Sequence, residues 1–595
     1  MPAVSDGTGL FSRPWLTKLI AADSRAWPLL VTAAIAVLCM RVALTWNVFS
    51  YTSDEPYHIA AAISLFEAHK LTEGIQHPPL PRILPGLVLY ASGVRYPPDH
   101  GNKTIHGDLE TLDSFVAGNY VLLHSPISYW QVLVRARATT LPFAALAVVY
   151  LYLLGRWLAD RRAAALAAVF FSFDPTLLGH AAWITTDVPA VAGFLAMIYH
   201  GLRWIARPTW RHVFIAGVAM GLGISCKFSC IAALPALALI LMCRSITRGP
   251  FLPSLTRKYI AQAALAALLG FLALWATYFF DIGAIANASP IVGSPTWAAI
   301  PPWLKQLPIP MPSFVYGLLV VRQHEHGGHV AYALGMKNVT GWWWYFPFAL
   351  LVKEPVALLI AIACALWFAA RRGMKHCKWR KWLIVLIPFC VFMIPAMLGH
   401  IDIGIRHILP AIAMLYLLVM LGLSRGRGPV FLAVLAAVSC IETVVVHPDY
   451  LSFFNFVSGG PSNGQRWLLD SNLDWGQDQA RLQDYLDRHA HGRSVTIRVF
   501  AHVPPPDWEH PDKAHGGFDV MPPGFTANDL LAVSKNFRFD LYPAIFRRNG
   551  KLFQENPIGQ ELIGLRPIAH VGDSIDIYDM VHRLPADAPD DRFAQ

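Results

Sequence analysis

The residues of this chain whose types and spacing could do chemistry gather first between Tyr51 and Arg82, YTSDEPYHIAAAISLFEAHKLTEGIQHPPLPR, directly after an apolar segment long enough to cross a bilayer. Adjacent acids at a membrane surface stay ionised only where water or a polar substrate reaches them, so Asp54 and Glu55 read as members of a site. The bland alternative is a solvated acidic loop. Tyr57 and His58 follow, and His77-Pro78-Pro79-Leu80-Pro81-Arg82 reads as a kinked, non-helical segment that completes a re-entrant loop. Asp187 supplies a second carboxylate position, and Arg41, His77, Arg82, Lys227, Lys353 and Arg406 supply positive charge. A carboxylate among cations is what transfer from a phosphate leaving group requires: a base for an incoming hydroxyl, and fixed charge where the phosphate departs. Bland readings stand beside three of these. Glu55 orients the loop as a structural partner, Arg41 snorkels to the interface, and Lys353 with Glu354 forms an ion pair at the Pro355 kink.

The elements that must position these groups are apolar spans. At 595 residues, 55% hydrophobic and 14% charged, the chain reads as a polytopic membrane protein. Its net charge of +10 lies in short clusters between apolar spans, where it reports topology and not nucleic-acid binding. The eight cysteines sit in or beside the spans and form neither a disulfide framework nor a zinc pattern. Residues 1–26 read as a cytoplasmic segment leading into an uncleaved signal anchor. Spans lie near 27–50, 135–158, 163–183, 187–205, 258–281, 346–369, 382–399, 407–424 and 429–447. The stretch 213–243 is too long for one straight helix. Two short spans meeting at Lys227 put every basic cluster on one side with the N-terminus. That gives about eleven transmembrane helices over 27–447, with outer loops 51–134 and 282–345. The N-terminus is then cytoplasmic, and all the candidate site residues share the outer face of a cytoplasmic (inner) membrane.

Aromatic residues crowd the outer loops, as in Gly341-Trp342-Trp343-Trp344-Tyr345-Phe346, and serve either as an interfacial belt or as a platform for lipid or sugar. The loop 92–128 shows little periodicity and either folds over the site or stays mobile. From 448 to 595 the composition turns polar, with an amphipathic helix around Arg481–Leu486 and alternating strands at Ser494–Val499 and Ser574–Tyr578. This predicts a soluble α/β or α+β domain outside the membrane. Asp470-Ser471-Asn472-Leu473-Asp474-Trp475-Gly476-Gln477-Asp478 resembles the start of a calcium loop, but its glycine is one place late and Arg481 stands where the closing Glu belongs. Turn and capping chemistry account for it equally. No metal ligand set and no cofactor is assigned, and a divalent metal stays an open alternative.

A longer set of motifs carries a family resemblance. It comprises Asp54-Glu55 after the first span, His77-Pro78-Pro79-Leu80, Thr185-Thr186-Asp187-Val188-Pro189, the run from Gly328-His329 through Gly341-Trp342-Trp343-Trp344-Tyr345-Phe346-Pro347 to Lys353, Gly404-Ile405-Arg406-His407-Ile408-Leu409-Pro410, and Gly459-Gly460-Pro461 through Asp478. Together these resemble bacterial glycosyltransferases of family 39, relatives of protein O-mannosyltransferases and of the lipid A aminoarabinose transferase. The resemblance implies the C-type glycosyltransferase (GT-C) fold and a polyprenyl-phosphate sugar donor. It also implies transfer with inversion to a hydroxyl of a protein, lipid or glycan acceptor. Asp54 matches the family's catalytic base and Asp187 its second carboxylate, whereas His77 stands where aminoarabinose transferases have Lys. The rival is a transporter or flippase of a lipid-linked sugar, which would share the cations but should show inverted repeats, and none is visible.

Overall fold

The computed structural model describes residues 21–97, 109–248, 257–287, 294–376, 379–500, 514–516, 530–541, 545–548, 551–554 and 558–585. Residues 1–20 of the N-terminal segment, Cys377 among the cysteines, and residues 98–108 of the 92–128 loop lie outside the described residues.

The chain is mainly helical. Among the described residues, seven helices are long and apolar enough to cross a bilayer, and two bent pairs raise that to nine. One pair, Arg161–Ser172 with Pro175–Ala181, bends by 59°; the other, Tyr345–Lys353 with Val356–Arg371, bends by 114°. The remaining sequence spans correspond to two short apolar helices, Trp210–Cys226 and Phe228–Cys243, which meet at Lys227. Lys227 itself is extended, with φ −163° and ψ 143°.

The glycines of 213–243 explain why this segment reads poorly as an ordinary span. A Cβ on Gly221 would lie 2.1 Å from the Gly270 carbonyl oxygen, and one on Gly217 2.7 Å from that of Ala266. The small-residue spacing therefore lets Trp210–Cys226 lie backbone to backbone on Arg257–Thr277, the way membrane helices pack without a hydrophobic driving force. On its other side Gly223 abuts Gly193 and Met197 of helix Asp187–Ala206. Held between two helices, the short span ends with Lys227 opposite Asp187.

Two sequence expectations change. His77–Arg82 is not wholly irregular, because helix Leu80–Ala91 starts at Leu80 with Pro81 in its first turn. Proline is tolerated there, where its missing N–H would have no partner anyway. The 92–128 loop contains a helix, Leu109–His124. It lies against Glu55–Ala68 so closely that a Cβ on Gly118 would sit 1.9 Å from the Pro56 carbonyl oxygen.

In the tail, Gln479–His489 is helical. A five-stranded sheet runs in the order 569–571, 575–579, 530–534, 495–499, 514–516. Strand 495–499 is parallel to both its neighbours, and the 575–579 strand is antiparallel to 530–534. Val495–Val499 and Leu530–Ser534 are buried at every position, as expected of central strands covered on both faces. Their core is shared: Leu482, Leu486, Ile497 and Ile577 belong to one apolar cluster with Ile59, Ile63 and Leu133 from the helices that follow the first span.

Candidate active site

Four charged side chains from distant parts of the chain meet at one end of the bundle. Arg406, on the short helix Ile405–Ile408, donates from Nη1 to Asp54 Oδ2 at 2.9 Å, and the same nitrogen lies 3.6 Å from Asp187 Oδ2. Lys227 Nζ donates to Asp187 Oδ1 at 2.6 Å. The Trp475 ring lies against the Arg406 guanidinium, 4.1 Å from its central carbon. Asp187 is the first residue of its helix, where the helix dipole favours an anion. The two carboxylates differ in access. The Asp187 side chain is 2% exposed and gripped by Lys227, whereas that of Asp54 is 29% exposed. Asp54 is therefore the carboxylate an incoming molecule can reach, and Asp187 is the anchor that fixes the cations.

Asp54 directly precedes helix Glu55–Ala68 but does not cap it, which leaves its carboxylate free for Arg406. The backbone leading to it is fixed: Tyr51 N donates to Tyr129 Oη at 3.0 Å, and Ser53 N donates to Trp475 O at 2.8 Å. One helical turn on, His58 faces His77 with ring centroids 5.4 Å apart, and Tyr57 stands edge-on to both. Desolvation and the nearby Arg82 hold both imidazoles well below their usual range. Burial pushes the Tyr57 phenol up to about 12. The surroundings of His77, expected as a source of positive charge, disfavour its charged form, and its Nδ1 lies 3.5 Å from the Thr186 hydroxyl.

The remaining predicted residues serve other purposes. Glu55 does not face the cluster: its carboxylate is fully buried and forked onto Arg137, at 2.9 Å from Nε and 2.7 Å from Nη2. It also accepts from Thr52 N and Ile184 N. Its expected place among the catalytic groups is corrected to that of a structural partner. Arg41 is spent on Tyr450 Oη and on both the hydroxyl and the carbonyl of Thr443, so it ties the first span to the last and is not a phosphate ligand. Lys353 is likewise corrected: its ammonium caps the carbonyls of Leu451 and Asn472 above the Phe454 ring. Glu354, expected as its ion-pair partner, accepts from the Thr176 hydroxyl at 2.9 Å. Arg82 borders the site but uses Nη1 to gather the carbonyls of Glu73, Gly74 and His77, so it shapes the loop that presents His77. The tryptophan run divides: Trp342 and Trp344 pack together, with ring centroids 5.4 Å apart, and Trp343 is 67% exposed.

The calcium-like motif does not converge on a point. Asp470 Oδ1 accepts from Ser471 N, Asp474 Oδ1 from Gly476 N, and Asp478 Oδ2 from the Ser574 hydroxyl. Among the described residues, no group of three or more His, Cys, Asp or Glu side chains is arranged to hold a metal. Sequence reasoning missed Arg137 as the partner of Glu55, and it quoted Trp475 only as part of a motif, without its place on Arg406. Arg137 left a usable signal, since a buried carboxylate needs a cation and the 135–158 span carries Arg135 and Arg137 near its start.

Residues 132–278 match the family model described as dolichyl-phosphate-mannose-protein mannosyltransferase. The match bears out the family 39 resemblance, and the matched stretch includes Asp187 and Lys227. No curated protein matches the chain. Among solved structures, the chain is similar to the Saccharomyces cerevisiae protein O-mannosyltransferase Pmt1-Pmt2 complex bound to the sugar donor, at 11% identity and TM-score 0.46, over 73% of this chain and 91% of that one. It is also similar to ArnT from Cupriavidus metallidurans bound to undecaprenyl phosphate, at 13% identity and TM-score 0.45, over 95% of this chain and 99% of that one. The chain is thus a many-span membrane protein with a segment of glycosyltransferase-family sequence.

Proposed function

We propose that this protein transfers a sugar from a polyprenyl-phosphate donor to an acceptor hydroxyl, with inversion, at the outer face of the cytoplasmic membrane, on a GT-C architecture. The observation that carries the reading is the reachable Asp54 carboxylate held 2.9 Å from Arg406, which in turn neighbours Asp187 and Lys227. Asp54 takes the proton of the acceptor hydroxyl as its oxygen bonds to the anomeric carbon. The bond from that carbon to the phosphate oxygen breaks on the opposite face, and the phosphate leaves with its charge met by Arg406 and Lys227. Similarity of residues 132–278 to a mannosyltransferase family supports this class of donor. The acceptor is a protein, lipid or glycan, and comparing outer-face glycans with and without the gene by mass spectrometry identifies it.

Arg406→Ala tests the phosphate contact. A charge-assisted hydrogen bond contributes about 1.5–3 kcal/mol, so binding of undecaprenyl phosphate should weaken by about 10- to 100-fold. Unchanged affinity in a folded variant removes Arg406 from the phosphate site.

Orientation is tested separately. Thr340 lies exposed on the segment leading to Trp342, and Arg371 lies exposed at the end of Val356–Arg371. In a background without other reactive thiols, Thr340→Cys should react with an impermeant thiol reagent on intact cells, and Arg371→Cys only after permeabilisation. The reverse pattern would put the site on the cytoplasmic side.

A further inference from the structure

The transfer reaction leaves one motif without a role, the run from Asp470 to Asp478. It touches both halves of the site. Toward Asp54, Ser53 N donates to Trp475 O at 2.8 Å and Ser50 N to Gln477 O at 3.1 Å, while the Ser50 hydroxyl also donates to Gln477 O at 2.8 Å. Toward Arg406, Asn472 Oδ1 accepts from Ile405 N at 3.0 Å, the Ser471 hydroxyl donates to Ile403 O at 2.8 Å, and the Trp475 ring supports the guanidinium itself.

The connecting piece is rigid. Asn472 is fully buried and donates to Tyr345 Oη and Leu469 O, both at 2.9 Å, and its own carbonyl receives the Lys353 ammonium. Trp475 N donates to Gln477 Oε1 at 2.8 Å, and Asn536 of the tail donates to Asp474 O at 2.9 Å. Asp54 and Arg406 are 352 positions apart in sequence, yet each is pinned to one end of the same short segment.

We propose that Asn472 and Trp475 are positioning residues that set the Arg406 guanidinium against Asp54, so that the tail completes the active site. The proposal rests on the transfer reading for its consequence, and on the contacts alone for its geometry. A guanidinium resting on an indole face keeps its donors directed within its own plane, and tilting it re-aims them away from both the carboxylate and a bound phosphate.

The test uses the full-length purified protein and undecaprenyl phosphate as the probe. Trp475→Leu should weaken probe binding about tenfold, Trp475→Phe should restore it to within about threefold, and in an Arg406→Ala background Trp475→Leu should cost nothing further. Wild-type affinity in folded Trp475→Leu overturns the proposal. So does an equal loss with and without Arg406, which is what a merely structural role would give. If Trp475→Leu does not fold, Asn472→Ala, which removes the acceptor for Ile405 N, takes its place in the same cycle, with the same two outcomes. If wild-type protein fails to bind the probe, the transfer reading fails instead. The cycle is then read on thermal stability, where strictly additive effects of Trp475 and Arg406 overturn the positioning role.

Discussion

Asp54→Asn is expected to fold normally and bind undecaprenyl phosphate, yet to lose about 100-fold or more in turnover, the scale for removing a positioned base. The substitution keeps the side chain's size and its ability to accept from Arg406 Nη1, so the cation should stay near its place. What disappears is the basicity needed to take the acceptor proton. Asp187→Asn is different in kind, because that carboxylate is 2% exposed and bonded to Lys227 at 2.6 Å. Its loss should appear mainly as weaker donor binding, through cations that lose their anchor. Turnover in a sugar-transfer assay, with probe affinity measured alongside, separates the two. Near wild-type transfer by folded Asp54→Asn would end the base assignment and revive the lipid-linked-sugar transporter as the better reading.

The spans were legible because a bilayer imposes length and composition together. About twenty apolar residues per crossing and basic residues on one side are constraints that no partner residue can relax. The same logic located the break at Lys227, which the structure places between Trp210–Cys226 and Phe228–Cys243. The division of labour among the cations was not legible. Arg41, Lys353 and Arg406 all read as charges near span ends, and whether such a charge meets a carboxylate or a carbonyl depends on which helix packs opposite. Arg41 found Thr443 and Tyr450, and Arg406 found Asp54. Acidic spacing misled in the same way at 470–478. Alternating Asp and Asn suit a calcium loop and a chain of side-chain-to-backbone turns equally well, and only the direction of each carboxylate separates them.

Glu55 shows how adjacent residues of one motif take opposite roles. Asp54 lies in the turn just before the helix and meets Arg406, whereas Glu55 begins the helix and turns inward to Arg137. Arg137 in turn donates to the carbonyls of Trp46, Phe49 and Ser50 and stacks on Trp183, so the pair ties down the backbone that carries Asp54. Arg137→Met leaves a carboxylate buried without its cation, and breaking a buried pair from one side costs about 3–5 kcal/mol of stability. Arg137→Met should therefore unfold at distinctly lower temperature in detergent than wild type. Glu55→Gln/Arg137→Met should recover part of the loss, because neither charge is then stranded. Glu55→Gln alone should reduce turnover less than Asp54→Asn does. Wild-type stability of Arg137→Met would refute the buried-pair account. A turnover loss at Glu55 larger than at Asp54 would exchange the two roles and put the base on the residue that this geometry turns away from the cations.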